Sequence, residues 1–501
     1  MPSRIWLPVW AIVLFVSALA LNTRHNTFPY FYHPDEGEKA AQLLTGKWNF
    51  HHPMLLLTTS KAAIDLASVT QREQPVVEAG RWVSAGFAAL AVVALSLLGY
   101  VWRGWKVCLA SGVALLLHHQ LYELSHYLKE DTALLAGMSF TFLTAYLYWQ
   151  KPGSVFAALL GLSVAAAISG KYLGIMSLAI AGPVLWFAPG PRTVSRFVWF
   201  GGALLLALLV VNLPLVLSPA AFGESLDREV GLVVSGQRGT TRSVPHTLYW
   251  NIFRDNTTPV MWVLLLAFLY GRWRERRSLT LVEWLIMAFP FVYALALSFS
   301  PKSNDRYFLP ATGVFTLLAA VGVLDASRLL SQWIAPRWST LVLALALVGT
   351  QVPSWMRYEA AFQRDDNREL FEWVKENLPP EAVIVKDSRV QLPDPKSTRV
   401  LNHFGPLPQT VIAKKYAADY GSIREMRKKG VTHVAVSDSD FGRFFLRGLR
   451  PKKDDEADFA RRKNFYKKLL RDGEQLFVSD RGTVLYLHPG LRLYRLPPEE
   501  E

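Results

Sequence analysis

From the N-terminus to Pro353 the chain alternates long apolar runs with short polar connectors; beyond Pro353 it turns abruptly rich in charge. A helix crosses the hydrocarbon core of a bilayer in about 20 residues, and runs approaching that length predict about eleven transmembrane helices. They cover 5–21, 82–101, 107–121, 132–149, 155–169, 173–187, 197–217, 259–270, 281–299, 308–324 and 340–352. The first run, with Arg4 ahead of it, looks like a signal peptide, but it lacks a clear small-residue cleavage site and further spans follow. It therefore reads as a retained anchor. The shift in character predicts a membrane domain over 1–353 and a soluble domain over 354–501. In the latter, helix-like and strand-like stretches alternate (369–377, 383–386, 423–429, 433–437, 464–471 and 484–488), as in a small α/β domain.

The net charge is +14, a balance that alone would suit nucleic acid. Its distribution points elsewhere. Basic residues gather in connectors such as Trp102-Arg-Gly-Trp-Lys106 and Gly271-Arg-Trp-Arg-Glu-Arg-Arg277, between apolar runs. Such clusters set membrane orientation. With the N-terminus in the cytoplasm, Arg103 and Lys106, Lys151, Arg192 and Arg196, Arg272 to Arg277, and Arg328 and Arg337 all fall inside. The odd span count then places the soluble domain outside. The single Cys108 excludes a disulfide framework and a cysteine metal site.

Outer connectors hold the candidate chemistry. The first, 22–80, contains Tyr32-His-Pro-Asp-Glu-Gly-Glu-Lys39, with Asp35 and Glu36 opening a predicted helix over 36–44. Asp at such a position is also an ordinary helix cap. The second, Tyr122-Glu-Leu-Ser-His-Tyr-Leu-Lys-Glu-Asp131, places Glu130 and Asp131 where the next span enters lipid. Two acidic pairs at one membrane level are costly unless paired or wetted, so they mark a candidate site. Opposite charge comes from Lys302 and Arg306 in Pro301-Lys-Ser-Asn-Asp-Arg-Tyr-Phe-Leu-Pro310, and from Lys171 at the tight turn Ser169-Gly-Lys-Tyr-Leu-Gly174. Arg offers a planar fork for phosphate and Lys a compact charge. His51 and His52 lack metal-ligand spacing, so hydrogen bonding to phosphate or sugar is the expected role beyond a structural one.

The acidic pair Asp35-Glu36, the segment Trp48-Asn-Phe-His-His-Pro53, Asp131 at the head of the fourth span and Arg306-Tyr-Phe-Leu-Pro310 together resemble glycosyltransferase family 39. That group contains dolichyl-phosphate-mannose protein mannosyltransferases and lipid A aminoarabinose transferases. The resemblance covers the membrane domain by architecture, and 366–385 and 491–496 resemble the appended soluble domain of bacterial members. It implies a polytopic α-helical membrane protein of the C-type glycosyltransferase fold with a C-terminal soluble α/β domain. It further implies Asp35, with Glu36 beside it, and Asp131 as catalytic residues, and Arg306 and Tyr307 near a donor phosphate, where the charges of Lys302 and Lys171 would join them and His52 could contribute. His51-His-Pro53 stands where members often have Lys-Pro-Pro, so His52 replaces a phosphate-binding Lys.

The expected activity is transfer of one sugar from a polyprenyl-phosphate donor to a hydroxyl of a protein, glycolipid or glycan on the outer face. Asp35 would be the base, and Asp131 would orient the acceptor or Asp35. No cofactor is required, and a divalent metal is left open. The partners are the lipid-linked donor, the acceptor and membrane lipids, with no nucleic acid. The alternative is a transporter or flippase of lipid-linked sugars. Transporters place functional charges mid-span and carry inverted repeats, whereas these charges sit at loop ends.

Overall fold

A computed structural model describes residues 6–28, 33–190, 193–235, 240–242, 245–299, 305–446, 449–451, 455–484 and 486–497. The chain divides into two compact units. One comprises Met1–Asn26, Asp35–Ser235 and Pro245–Met356; the other comprises Thr27–Pro34, Gly236–Val244 and Arg357–Glu501.

The first unit is helical. It runs α1 (Trp6–Asn22), α2 (Pro34–Thr45), α3 (Leu55–Leu66), α4 (Glu73–Arg103), α5 (Trp105–Leu116), α6 (His119–Ser125), α7 (Asp131–Gln150), α8 (Ser154–Gly170) and α9 (Leu178–Phe187). It continues through α10 (Val194–Val211), α11 (Leu213–Leu217), α12 (Pro219–Ser235), α13 (Pro245–Asp255), α14 (Pro259–Glu275), α15 (Leu281–Ser298), α16 (Leu309–Leu329), α17 (Pro336–Gly349) and into α18 (Val352–Ala361). Helices occupy every apolar run of the sequence. Among the described residues, 5 stretches are long and apolar enough to cross a membrane: Glu73–Arg103, Val194–Val211, Leu281–Ser298, Asp305–Gln332 and Pro336–Asn377. Shorter apolar helices include Trp6–Asn22, Trp105–Leu116, Ser154–Gly170 and Tyr172–Phe187. The chain is thus an integral membrane protein, with Trp, Leu and Val side chains facing outward along α10, α14 and α17.

Several boundaries differ from the hydropathy pattern, each for a polar reason. The helix expected from residue 82 begins at Glu73, because Arg81, which interrupts the apolar run, is buried against Glu36. The run 107–121 breaks after Leu116 and resumes as α6. The run 173–187 opens as a 3-10 turn, Tyr172–Ser177, before α9. The run 197–217 pauses at Asn212, whose carboxamide accepts from the Met54 N–H (3.0 Å) and donates to Ser169 Oγ (2.7 Å).

Helices α7 and α8 pack with their backbones in unusually close approach. A side-chain carbon on Gly137 would lie 2.3 Å from the Ala167 nitrogen, and one on Gly170 would lie 2.8 Å from the Ala133 carbonyl carbon. Glycine alone permits that approach, as small residues do between membrane helices generally. The start of α7 therefore meets the end of α8, which brings Asp131 to Lys171.

The second unit contains α19 (Asp366–Asn377), α20 (Thr398–Phe404), α21 (Ile423–Lys428), α22 (Asp438–Phe441), α23 (Glu456–Asp472) and a 5-stranded sheet. The strands are β2 (Val383–Lys386), β3 (Thr410–Ala413), β4 (His433–Ser437), β6 (Glu474–Val478) and β7 (Leu491–Arg495), in the order β3-β2-β4-β7-β6. β2 is parallel to β3 and β4, while β7 is antiparallel to β4 and β6. β1 (Thr240–Arg242), from the connector before α13, pairs antiparallel with β5 (Leu449–Pro451). The described residues of the strand expected over 484–488 turn instead: the Leu487 and His488 N–H groups both donate to the Val484 carbonyl (3.1 and 2.9 Å).

Candidate active site

Four segments of the membrane unit supply the charged side chains. Pro34 opens α2 with Asp35 and Glu36 in its first turn, and one helical turn on, Lys39 shares their side of the helix. The connector before α7 ends Lys129-Glu130-Asp131, and each of these residues is 1% exposed. Lys171 follows α8, and Arg306 lies in a 3-10 turn, Asp305–Phe308, ahead of α16. That turn is held by Gln120, which donates to the Asp305 carbonyl (3.2 Å) and accepts from Thr312 Oγ1 (3.0 Å).

Glu36 forms the anchor of the assembly. Arg81 grips it through Nε and Nη2, both at 2.8 Å, and the Leu128 N–H donates to the same carboxylate at 2.9 Å. Glu36 and Arg81 are 0% exposed. Paired forks of this kind fix geometry as well as charge. Through Leu128, Glu36 ties the first connector to the residues just before Lys129, Glu130 and Asp131.

Three ion-pair groups are arranged around this anchor. Lys129 Nζ donates to Asp35 Oδ2, and the Asp35 side chain is 40% exposed. Lys39 Nζ lies 2.5 Å from Glu130 Oε1, with His52 Nε2 3.9 Å from the other oxygen. Lys171 Nζ lies 2.5 Å from Asp131 Oδ1, and Arg306 Nε lies 3.9 Å from Oδ2. Lys171 also stands 4.4 Å over the Tyr307 ring, a cation–π contact. The structure thus brings together Asp35, Glu36, Asp131, Lys171, Arg306, Tyr307 and His52 from the expected set. Lys302 lies outside the described residues.

The electrostatics of the connectors follow from burial and neighbours. Burial pushes the Lys129 ammonium down to about 8, with the charges of Arg306 and Lys39 adding to the shift and Asp35 opposing it. Burial likewise pushes the His52 imidazole down to about 3, against the pull of Glu130, so the ring is neutral at pH 7. Burial works to raise the Glu130 carboxyl, yet neighbouring cations hold it well below the usual carboxylate range. Since His52 is neutral, that effect belongs to Lys39 and Lys129. At pH 7 the paired cluster therefore carries the cations Lys39, Lys129, Lys171 and Arg306 against the carboxylates Asp35, Glu130 and Asp131. Among the described residues, these ion pairs hold one more cation than carboxylate. Asp305, which is exposed, accepts the Arg306 N–H and stands outside these pairs.

The His51-His52 segment is shaped locally. Phe50 adopts a φ of 52°, a left-handed conformation that costs a bulky residue free energy and persists only where surroundings impose it. Here the Tyr172 hydroxyl donates to the Phe50 carbonyl (3.0 Å) and the Met54 N–H is held by Asn212. His52 is thereby directed to Glu130, while His51 Nε2 lies 3.4 Å from Arg228. Among the described residues, no group of three His, Cys, Asp or Glu side chains is disposed to hold a metal ion.

Lys39, Lys129 and Arg81 were not anticipated from the sequence. Arg81 carried a signal, since a cation at the very edge of an apolar run calls for a partner. Lys39 lies four residues after Asp35 on the same helix, a spacing that places both on one face. Lys129 sits within a Lys-Glu-Asp triplet that reads equally well as a solvated turn.

No protein-family model matches the chain, and no curated protein does. Among solved structures it is similar to ArnT from Cupriavidus metallidurans bound to undecaprenyl phosphate, with a TM-score of 0.51 and 13% identity over 99% of both chains. The apo form of that ArnT gives 0.51 and 14% over 99% of both chains. The Archaeoglobus fulgidus oligosaccharyltransferase in complex with zinc and sulfate gives 0.52 and 12%, over 97% of this chain and 73% of that one. The fold is the C-type glycosyltransferase fold.

Proposed function

We propose that this chain, on its C-type glycosyltransferase fold, moves a single sugar from a polyprenyl-phosphate donor to an acceptor hydroxyl at the outer face of a bacterial inner membrane. The observation that carries the reading is the cationic surplus gathered beside a partly exposed carboxylate. A surplus of buried positive charge suits an anionic ligand, and the solved ArnT holds undecaprenyl phosphate.

In this mechanism Asp35 takes the proton from the acceptor hydroxyl as its oxygen bonds to the anomeric carbon of the sugar. The bond from that carbon to the phosphate oxygen breaks, and its electron pair leaves with the phosphate. The donor diester carries one negative charge and the released polyprenyl phosphate two, so charge develops where Arg306 and Lys171, with Lys302, stabilise it. Asp131 holds Lys171 and Arg306 in place for that task. His52, neutral, offers a hydrogen bond to phosphate or sugar. Glu36, enclosed by Arg81 and the Leu128 N–H, acts by fixing the helix that carries Asp35. On this reading the soluble unit lies outside the membrane, continuous in the chain with the outer connectors.

The test replaces Asp35 by Asn in the full-length protein. Mass spectrometry of envelope glycolipids and glycoproteins, compared with cells lacking the gene, identifies the product. Asp35→Asn should reduce its formation about 10²-fold or more at normal protein level. Undiminished product would remove Asp35 from the role of base.

A further inference from the structure

Glu130 has no task in the transfer step, yet it is buried among the groups that do. Lys129, Glu130 and Asp131 are consecutive, and Asp131 opens α7. Successive residues of a helix are about 100° apart around its axis, so side chains at its start diverge. Lys129 turns to Asp35, and Asp131 turns to Lys171 and Arg306. Glu130, between them in the chain, has only one of its two oxygens engaged. Lys39 Nζ lies 2.5 Å from Oε1, whereas among the described residues no group donates a hydrogen bond to Oε2.

A buried carboxylate oxygen without a donor calls for an explanation. The side chain facing Oε2 is His52, whose Nε2 stands 3.9 Å away. That separation is too long for a hydrogen bond. One intervening oxygen spans it, since two hydrogen bonds of about 2.8 Å meeting near a right angle cover that distance. The His52 side chain is 21% exposed and that of Glu130 1%, so the gap opens past His52.

The occupant is defined by what it must give and take. His52 is neutral at pH 7, and a lone pair aimed at a carboxylate oxygen would be repelled. The imidazole proton therefore belongs on Nε2, and Nε2 donates. The bridging group has to accept from His52 and donate to Glu130. An ammonium only donates and a carboxylate only accepts, whereas a hydroxyl does both. Charge adds to the case against an ammonium, because Lys39 and Lys129 already act on Glu130.

The position suits a sugar. Lys39 and Asp35 lie one turn apart on α2, and Lys129, the preceding neighbour of Glu130, holds Asp35. Asp131, the following neighbour, holds the cations assigned to the phosphate. The three consecutive residues thus serve the base, the sugar and the phosphate in turn.

We propose that Glu130 and His52 form a subsite for one hydroxyl of the donor sugar, and that this subsite rejects a sugar bearing an amino or carboxyl group at that position. The proposal rests on the reading of the chain as a transferase using a polyprenyl-phosphate sugar.

The experiment measures equilibrium binding to the full-length protein in detergent. Undecaprenyl phosphates of glucose, mannose, galactose and arabinose are compared first. The tightest is then set against its monodeoxy analogues, which carry the same charge. One monodeoxy analogue should bind wild type about tenfold or more weakly than its parent, the value of one hydrogen bond to a charged group. The analogue with an amino group at that position should bind no better than the deoxy one. In Glu130→Gln, Lys39 takes the amide oxygen and the NH2 faces His52, leaving two donors and no acceptor. This variant should bind the parent about tenfold or more weakly and should not distinguish it from the deoxy analogue, since both changes remove one bond. His52→Ala, which keeps the Lys39–Glu130 pair if Glu130→Gln fails to fold, should narrow the same difference and no other. Equal affinity of wild type for all the analogues, an amino analogue bound as tightly as the parent, or an undiminished preference in Glu130→Gln would each overturn the inference. A water molecule alone would then fill the gap. Failure of wild type to bind any of these donors or undecaprenyl phosphate itself would instead remove the donor reading, and the subsite with it.

Discussion

Helix α16 joins two charged clusters that differ in one respect. At its C-terminal part, Arg103, Arg272 and Arg328 interlock with Glu275, Glu283 and Asp325, cation for carboxylate. Arg272 Nη2 reaches both Asp325 oxygens at 2.9 Å, and the Trp102 indole donates to Glu283 at 2.7 Å. Ahead of its N-terminus, Arg306 joins the cluster in which cations outnumber carboxylates and some approaches stay long, at 3.9 Å. A matched network ties α4, α14, α15 and α16 together. An unmatched one among the described residues, beside a partly exposed aspartate, suits an anionic ligand on the proposed reading. The balance of a buried ion cluster, more than its presence, separates scaffold from site.

The contrast can be broken by single substitutions. Asp325→Ala leaves Arg272 with Glu275 alone in a matched network, which should cost about 3 kcal/mol and give the largest loss of thermal stability in detergent. An unchanged melting temperature would show that cluster to be dispensable. Lys171→Ala removes a charge from the surplus. Affinity for undecaprenyl phosphate should fall by about 2 kcal/mol, read by titration of the purified protein.

A pH series sharpens the same point. Lys129 titrates at about 8 in the folded chain, below its ordinary 10.5. Between those values the unfolded chain binds the additional proton, so this residue makes stability rise with pH across that window. Phosphate affinity should move the opposite way, declining as the ammonium discharges through pH 8. Lys129→Gln should flatten both trends, and pH-independent affinity in the wild type would contradict the shift. Smallest of all, Arg228→Ala loosens an exposed contact with His51 and should change melting by less than about 0.5 kcal/mol.

Hydropathy made the helices legible because lipid leaves few options for long apolar runs. It failed where polar groups are satisfied inside the protein. Arg81 hid the first part of α4, and Asn212 divides a run that reads as one span. Asp35, Asp131, Lys171 and Arg306 could be singled out because charge at helix ends is conspicuous in an apolar sequence. Which cation meets which carboxylate was not legible. Lys171 reaches Asp131 only because Gly137 and Gly170 let α7 and α8 approach, and Lys129 reaches Asp35 only after Glu36 has joined two connectors. In the soluble unit β2 and β4 follow from their β-branched runs. The turn at 484–488 looks equally strand-like and is settled by contacts of His488 that no local pattern contains.

The most direct test of the cationic surplus is equilibrium binding of undecaprenyl phosphate to the full-length protein in detergent, with wild type and Arg306→Ala compared at neutral pH. The account predicts saturable binding that weakens about tenfold or more in the variant while its melting temperature holds. Equal affinity in the two proteins, or no binding by the wild type, would contradict it.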